Sequence, residues 1–161
     1  MQTPSLPVGG ADKIYGGLGN DILHGEAGGD FIEGGGGSDT LYGGEGIDKI
    51  YGGLGDDSFV YLAPNEGGDL VGDFSSSSIG NNDTFKFTGK TFGSLSAGTL
   101  ARQNFQSAKD DRALTSDVRF FYEIDTGILR FDDDGSGAHA AVVIATLKVG
   151  VLLTINDILI I

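Results

Sequence analysis

The sequence contains no cysteine, so neither a disulfide nor a thiolate zinc site can hold it together. Basic residues are scarce. Ten Lys and Arg stand against 23 Asp and Glu, a net charge of −13 over 161 residues. That balance argues against nucleic acid or an anionic membrane as partner, since both need a basic surface, and it suits a cation. No apolar run approaches the ~18 residues that would span a bilayer. The start, Met1 to Pro7, lacks a basic segment followed by an apolar one, so it does not read as a cleavable signal peptide. Histidine occurs only as His24 and His139, both expected in solvated positions. No H-E-x-x-H, G-x-S-x-G or phosphate-loop pattern occurs, and the chain reads as a non-catalytic module.

Glycine, by contrast, is abundant, with 29 residues concentrated in the first 55 and a composition break near residue 60. A nine-residue unit, G-G-x-G-x-D-x-U-x with U a large apolar residue, begins at Gly16, Gly25, Gly34, Gly43 and Gly52. A degenerate copy over residues 7–15 precedes them. Asp falls at 12, 21, 30, 39, 48 and 57, and Ile14, Leu23, Ile32, Leu41, Ile50 and Phe59 follow two residues behind. A fixed period of this kind means stacked units, because one unit cannot bury its own apolar face. An abrupt start within a repeat suggests a piece of a longer protein.

The six residues G-G-x-G-x-D suit a turn, and x-U-x alternates so that U points inward. Two units make one 18-residue turn of a flattened coil, with residues 18 apart stacked at roughly 4.8 Å. Ile14, Ile32 and Ile50 then line one inner wall, and Leu23, Leu41 and Phe59 the other. Asp12, Asp30 and Asp48 follow one edge; Asp21, Asp39 and Asp57 follow the opposite edge. Two carboxylates ~5 Å apart repel by about 0.8 kcal/mol even at the dielectric of water. The thin apolar column cannot offset the ordering entropy of a glycine-rich chain, so the free coil is expected to be disordered. A divalent cation between turns reverses this. Carboxylate and carbonyl oxygens in a flexible loop fit Ca²⁺ better than Zn²⁺ or Cu²⁺, and better than Mg²⁺, which keeps its waters.

Residues 8–60 resemble the RTX (repeats-in-toxin) β-roll of secreted bacterial proteins. The resemblance implies an all-β fold: a right-handed parallel β-roll of 18-residue turns, followed by an antiparallel β-rich C-terminal cap. It implies about four or more Ca²⁺ ions, bound between turns by Asp12/Asp30, Asp21/Asp39, Asp30/Asp48 and Asp39/Asp57. Gly17, Gly19, Gly34, Gly35, Gly37, Gly43, Gly44, Gly46, Gly52, Gly53 and Gly55 supply the turn backbone. Asp69, Asp73 and Asp83 resemble the D-x-I-x-D-F…D segment that ends such rolls, implying that they complete the last sites with Asp48 and Asp57. Two departures stand out: Pro7 and Val8 replace glycines of the first copy, and Glu26 replaces the second glycine of the third.

The expected organisation is a lead-in at 1–7, the roll at 8–60, a terminating segment at 61–84 and a β cap at 85–161. In the cap, Asp125-Thr126-Gly127 between two apolar runs signals a hairpin. Asp132, Asp134, Ser136 and Gly137 mimic the opening of an EF-hand loop. Val143 stands where the bidentate Glu belongs, so this reads as a hairpin turn, with an extra weak Ca²⁺ site as the alternative. Residues 157–161, Asp157 followed by apolar residues, read as a core strand and also resemble an uncleaved type I secretion signal. On the outer faces Tyr15, Glu33 and Tyr51 stack, as do His24, Tyr42 and Val60. The expected function is a secreted Ca²⁺-binding module that folds outside the cell after transient contact with a type I secretion machinery. The alternative is a Ca²⁺-dependent module binding a polysaccharide or cell surface.

Overall fold

The computed structural model describes residues 9–77, 80–109, 117–135 and 141–161. The repeats give six strands: β1 (Lys13–Leu18), β2 (Ile22–His24), β3 (Phe31–Gly36), β4 (Thr40–Tyr42), β5 (Lys49–Leu54) and β6 (Ser58–Tyr61). Odd strands pair parallel in one sheet and even strands in another, each with the strand two repeats further on. The even strands keep close to the short length of x-U-x. The odd ones run further, because the glycines after U stay extended and pair as Gly17↔Gly35↔Gly53.

The walls lie where the period places them. Ile14, Ile32 and Ile50 are in register on one side, and Leu23, Leu41 and Phe59 on the other. From Leu23 through Phe59 these side chains are at most 1% exposed. Each such burial contributes about 1.5–3 kcal/mol.

Both walls continue beyond the repeats. β7 (Asp69–Val71) adds Val71 beside Ile50. A short antiparallel pair, β8 (Ser76–Ser77) with β9 (Asn81–Asn82), leads into β10 (Thr84–Phe87), which sets Phe85 beside Phe59. The remaining strands are β11 (Gly98–Thr99), β12 (Phe105–Ala108), β13 (Phe120–Glu123), β14 (Ile128–Phe131), β15 (Val142–Leu147) and β16 (Ile158–Ile160). One eight-stranded sheet runs β1-β3-β5-β7-β15-β14-β13-β12, and a six-stranded sheet runs β11-β16-β10-β6-β4-β2.

The region from 85 is β-rich as expected, but its pairing is mixed. β13, β14 and β15 form the antiparallel meander, with the turn before Ile128 in the expected place. β15 lies parallel to β7, β10 to β6, β16 to β10 and β12 to β13. The physical reason lies in the connections. The strands that take up the open edges of the roll arrive by long crossovers, which deliver parallel neighbours, whereas short turns give antiparallel ones. Phe87, Phe92, Phe120 and Phe131 fill the cap core with ring centroids 4.5–6.0 Å apart. Residues 158–160 form the expected core strand, entered through a capping box in which Thr154 and Asp157 bond reciprocally. Among the described residues no helix is long and apolar enough to cross a membrane.

Candidate metal centre

Stacking of alternate repeats brings the repeat carboxylates onto their neighbours' backbone. Asp30 Oδ1 accepts the Asp12 N–H at 2.8 Å, Asp39 Oδ1 that of Asp21 at 2.8 Å, Asp48 Oδ1 that of Asp30 at 2.7 Å and Asp57 Oδ1 that of Asp39 at 2.8 Å. The ladder outlives the repeat. Asp69 Oδ1 accepts from Asp48 N at 2.9 Å, and Asp83 Oδ1 from Asp57 N at 3.1 Å. Asp73 takes the amides of Gly52 and Gly53 at 3.0 and 2.9 Å. All four Asp pairs expected from the sequence are thus adjacent, and Asp69 and Asp83 stand beside Asp48 and Asp57.

The second oxygen of each repeat carboxylate is different. Oδ2 of Asp21, Asp30, Asp39, Asp48 and Asp57 is buried and bonded to no protein donor, and Oδ1 of Asp21 shares that state. These five side chains are at most 2% exposed. An unpaired buried carboxylate is among the costliest arrangements a fold can contain.

The glycines divide into two roles. Gly17, Gly19, Gly35, Gly37, Gly44, Gly46, Gly53 and Gly55 sit at positive φ. Gly34, Gly43 and Gly52 instead leave room: a Cβ on any of them would collide with Oδ2 of its own repeat's Asp. Gly16 and Gly25 do the same for Asp21 and Asp30 and belong to the site, although they are not among the glycines expected from the sequence. Their signal was in plain view, since both open a repeat. At Gly16, Gly25 and Gly34 the same small volume also receives the carbonyl oxygen of the matching glycine two repeats on, from Gly34, Gly43 and Gly52 respectively. Unbonded carboxylate oxygens beside glycine carbonyls, with no nitrogen or sulfur ligand among them, form a hard-oxygen set that fits Ca²⁺.

Burial raises the carboxyls of Asp39 and Asp48 above their ordinary range, with the charges of Asp21 and Asp30 adding to it and backbone N–H bonds opposing it. Burial likewise raises Asp57 to about 6, and Asp69 and Asp83 to about 7. Neighbouring carboxylates push the same way in each case, and N–H bonds partly compensate. Without a cation, therefore, both carboxylate edges of the roll favour protons.

Of the two sequence departures, Pro7 and Val8 lie outside the described residues. Glu26 holds the glycine place at φ 74° and still stacks: Glu45 N donates to Glu26 O at 2.7 Å. Asp132, Asp133 and Asp134 bring carboxylate oxygens within 4.8 Å of one another. Asp132 Oδ1 accepts from the amides of Asp134 and Gly135, as in a turn, while Ser136 and Gly137 lie outside the described residues. So does His139. His24 is half-buried rather than solvated, because its ring lies flat on Tyr42 at 4.3 Å and 7°. Val60, expected on an outer face, is 3% exposed, since β6 is covered on both sides.

The outer face of the odd sheet carries a second group of side chains. Lys13, Phe31 and Lys49 share one row, and Tyr15, Glu33 and Tyr51 the next. Phe31 bridges the tyrosines diagonally, with centroids 5.7 Å from Tyr15 and 5.6 Å from Tyr51. Both lysines are exposed, as is Tyr15.

Residues 8–32 and 33–61 match the RTX calcium-binding nonapeptide repeat. The chain also resembles a solved structure, the solution structure of the AlgE6R3 subunit from the Azotobacter vinelandii mannuronan C5-epimerase. The two are 24% identical with a TM-score of 0.58, over 96% of this chain and 80% of that one. No curated protein matches. The fold is thus a calcium-binding β-roll related to these repeats, binding several Ca²⁺ ions, followed by a β-rich C-terminal region.

Proposed function

We propose that this calcium-binding β-roll is a non-catalytic, extracellular module that binds a polysaccharide or cell surface only when its calcium sites are filled. The observation that carries this reading is where the odd-sheet shelf comes from. Tyr15, Phe31 and Tyr51 belong to three successive turns, so they form one surface only when the turns are stacked. Stacking in turn buries five carboxylates with unbonded oxygens. Asp12/Asp30, Asp21/Asp39, Asp30/Asp48 and Asp39/Asp57 would hold the ions, with the glycine carbonyls beside them. Ca²⁺ supplies the positive charge that lets these carboxylates lie within one fold, so its binding free energy becomes folding free energy. Aromatic rings stack on sugar faces, and lysine ammonium groups pair with acidic ones. The likeness to part of an enzyme named for mannuronan supports a polysaccharide over a protein surface.

A second reading concerns timing. A chain that cannot stack its turns without calcium stays unfolded in a low-calcium cytosol and folds outside, where such modules work at ~0.1–1 mM. That suits passage through a type I exporter as part of a longer exoprotein, with 157–161 as the signal. The two readings are compatible, and the surface-binding one has the more specific structural support. The domain plan remains a roll to residue 60, a terminating segment to 84 and a cap from 85.

The test is retention on immobilised mannuronan and on a neutral glucan, in millimolar calcium and in chelator, for the native chain and for Tyr15→Ala/Tyr51→Ala. Calcium-dependent retention that the double variant loses, with its circular dichroism unchanged, supports the proposal. Equal retention in chelator, or a β spectrum already complete there, sinks it.

A further inference from the structure

The outer face of the odd sheet repeats at twice the interval that the fold requires. Stacking needs a match every 18 residues, and the inward residues supply it at each turn. Residues 12–19, by contrast, recur letter for letter only two turns on, as 48–55. Strands β1 and β5 therefore present the same Lys, Tyr and Leu, and β3 between them presents Phe31, Glu33 and Gly36. The even strands show no such alternation: Ile22, Thr40 and Ser58 hold the place corresponding to the lysines. Packing does not account for the doubled pattern, since Leu18 and Leu54 are 92% and 76% exposed. These leucines flank Gly36 and line a groove of about 360 Å³, with Gly35 and Gly36 between them and Tyr15 and Glu33 alongside. Among the described residues, no ion pair engages Lys13, Lys49 or Glu33.

Two identical sets, two strands apart, lie about 10 Å from each other. An equatorially linked pyranose chain advances by about one strand spacing, roughly 5 Å, per sugar. A chain crossing the strands thus meets the same side chains at every second sugar. Lysine is a compact positive charge that attracts an acidic group. The sugar between two such contacts meets Glu33 instead, which repels an acid and accepts hydrogen bonds from N–H or O–H groups. Exposed leucine methyls beside a carboxylate suit an acetamido group, whose N–H donates to Glu33 while its methyl lies against Leu18 and Leu54.

We infer that this face selects an acidic polysaccharide in which a uronic acid alternates with an N-acetylated sugar, the uronates at Lys13 and Lys49 and the N-acetylated sugar in the groove at Glu33. The inference rests on the polysaccharide reading and names the class of polymer. A polymer acidic at every sugar would set one carboxylate against Glu33, and a neutral one would leave both lysines unused.

The experiment measures dissociation constants by calorimetry, in millimolar calcium and ~0.1 M salt, for oligosaccharides of three polymers. These are hyaluronan (glucuronate alternating with N-acetylglucosamine), mannuronan and a neutral glucan. The native chain is expected to bind hyaluronan tightest and the glucan weakest. Glu33→Gln, at an exposed position that leaves the stack intact, removes a like charge about 5 Å from the middle uronate and should tighten mannuronan about two- to fourfold while weakening hyaluronan. Gly36→Leu, which gives β3 the leucine of its neighbours, should fill the groove and remove the preference for hyaluronan. Lys13→Ala/Lys49→Ala should weaken both acidic ligands and leave the glucan unchanged. A native chain that binds mannuronan as tightly as hyaluronan overturns the inference, and so does a Glu33→Gln variant whose preference is intact. Binding of none of the three would instead defeat the polysaccharide reading itself.

Discussion

Acidifying the calcium-free chain should fold it. Asp57 is raised to about 6 and Asp69 and Asp83 to about 7, against an ordinary value of 3.8. For each, the folded state holds a proton that the unfolded state has released, so the folded state gains as pH falls. The gain begins as pH drops through 7, is steepest near 5–6, and is complete near 3.8. With three protons bound only by the folded form, linkage gives a slope of at most about 4 kcal/mol per pH unit. A third of that still shifts a domain whose whole stability is about 5–15 kcal/mol. Glu123 acts in the opposite sense: despite its burial, the Arg130 and Thr126 bonds hold it below its ordinary 4.5, so its contribution is lost as pH falls below that value. The calcium-free optimum should therefore lie near pH 5. The assay is far-ultraviolet circular dichroism in calcium-depleted buffer from about pH 8 to 4. A β signal that stays flat or declines between about 7.5 and 5 would refute the reasoning, because it would mean that burial of these carboxyls does not limit the free chain.

Two further outcomes follow from local geometry. Gly44→Ala places a methyl group against Glu26 O at φ 93°, whereas Gly19→Ala, at φ 111°, meets nothing within 4 Å. Both carry the left-handed cost of about 1–2 kcal/mol, so the Gly44 variant should need distinctly more calcium to fold, and equal midpoints would contradict the stacking. In the cap, Glu123 bonds Arg130 Nε and the Thr126 hydroxyl, both at 2.7 Å. Glu123→Gln should cost about 1–3 kcal/mol, read as a lower melting temperature at saturating calcium, and an unchanged melting curve would show the pair to be idle.

The roll was legible because its information is periodic. One register, two repeats to a turn, sets both apolar walls, both carboxylate edges and the glycine backbone at once, and a slip at any Asp would have been visible. What lay beyond residue 60 was legible in pieces. The hairpin at Asp125–Gly127 announces itself locally. The parallel docking of β16 on β10 and of β15 on β7 does not, because those partners lie far apart along the chain with no repeat to index them. The contact of Tyr61 was equally hidden. In sequence it is one more apolar residue of the last strand. Only the fold aims its hydroxyl at a carboxylate from the opposite sheet, that of Asp69. His24 departs from expectation for a related reason: an outward position on a strand is not a solvated one when the next turn brings a tyrosine ring over it.

The eight-stranded sheet passes from the repeats into the cap without a break, as β5-β7-β15-β14. A flexible joint between two bodies would require the strand pairing to lapse somewhere, and between β1 and β12 it does not. At ~4.8 Å per strand, these edges stand roughly 34 Å apart. Once loaded with calcium, the molecule is a stiff spacer of set length. Anything joined near β1 would be held at a constant distance and angle from the far edge of the cap, and under the proposed calcium dependence loss of the ions would turn that ruler back into slack chain.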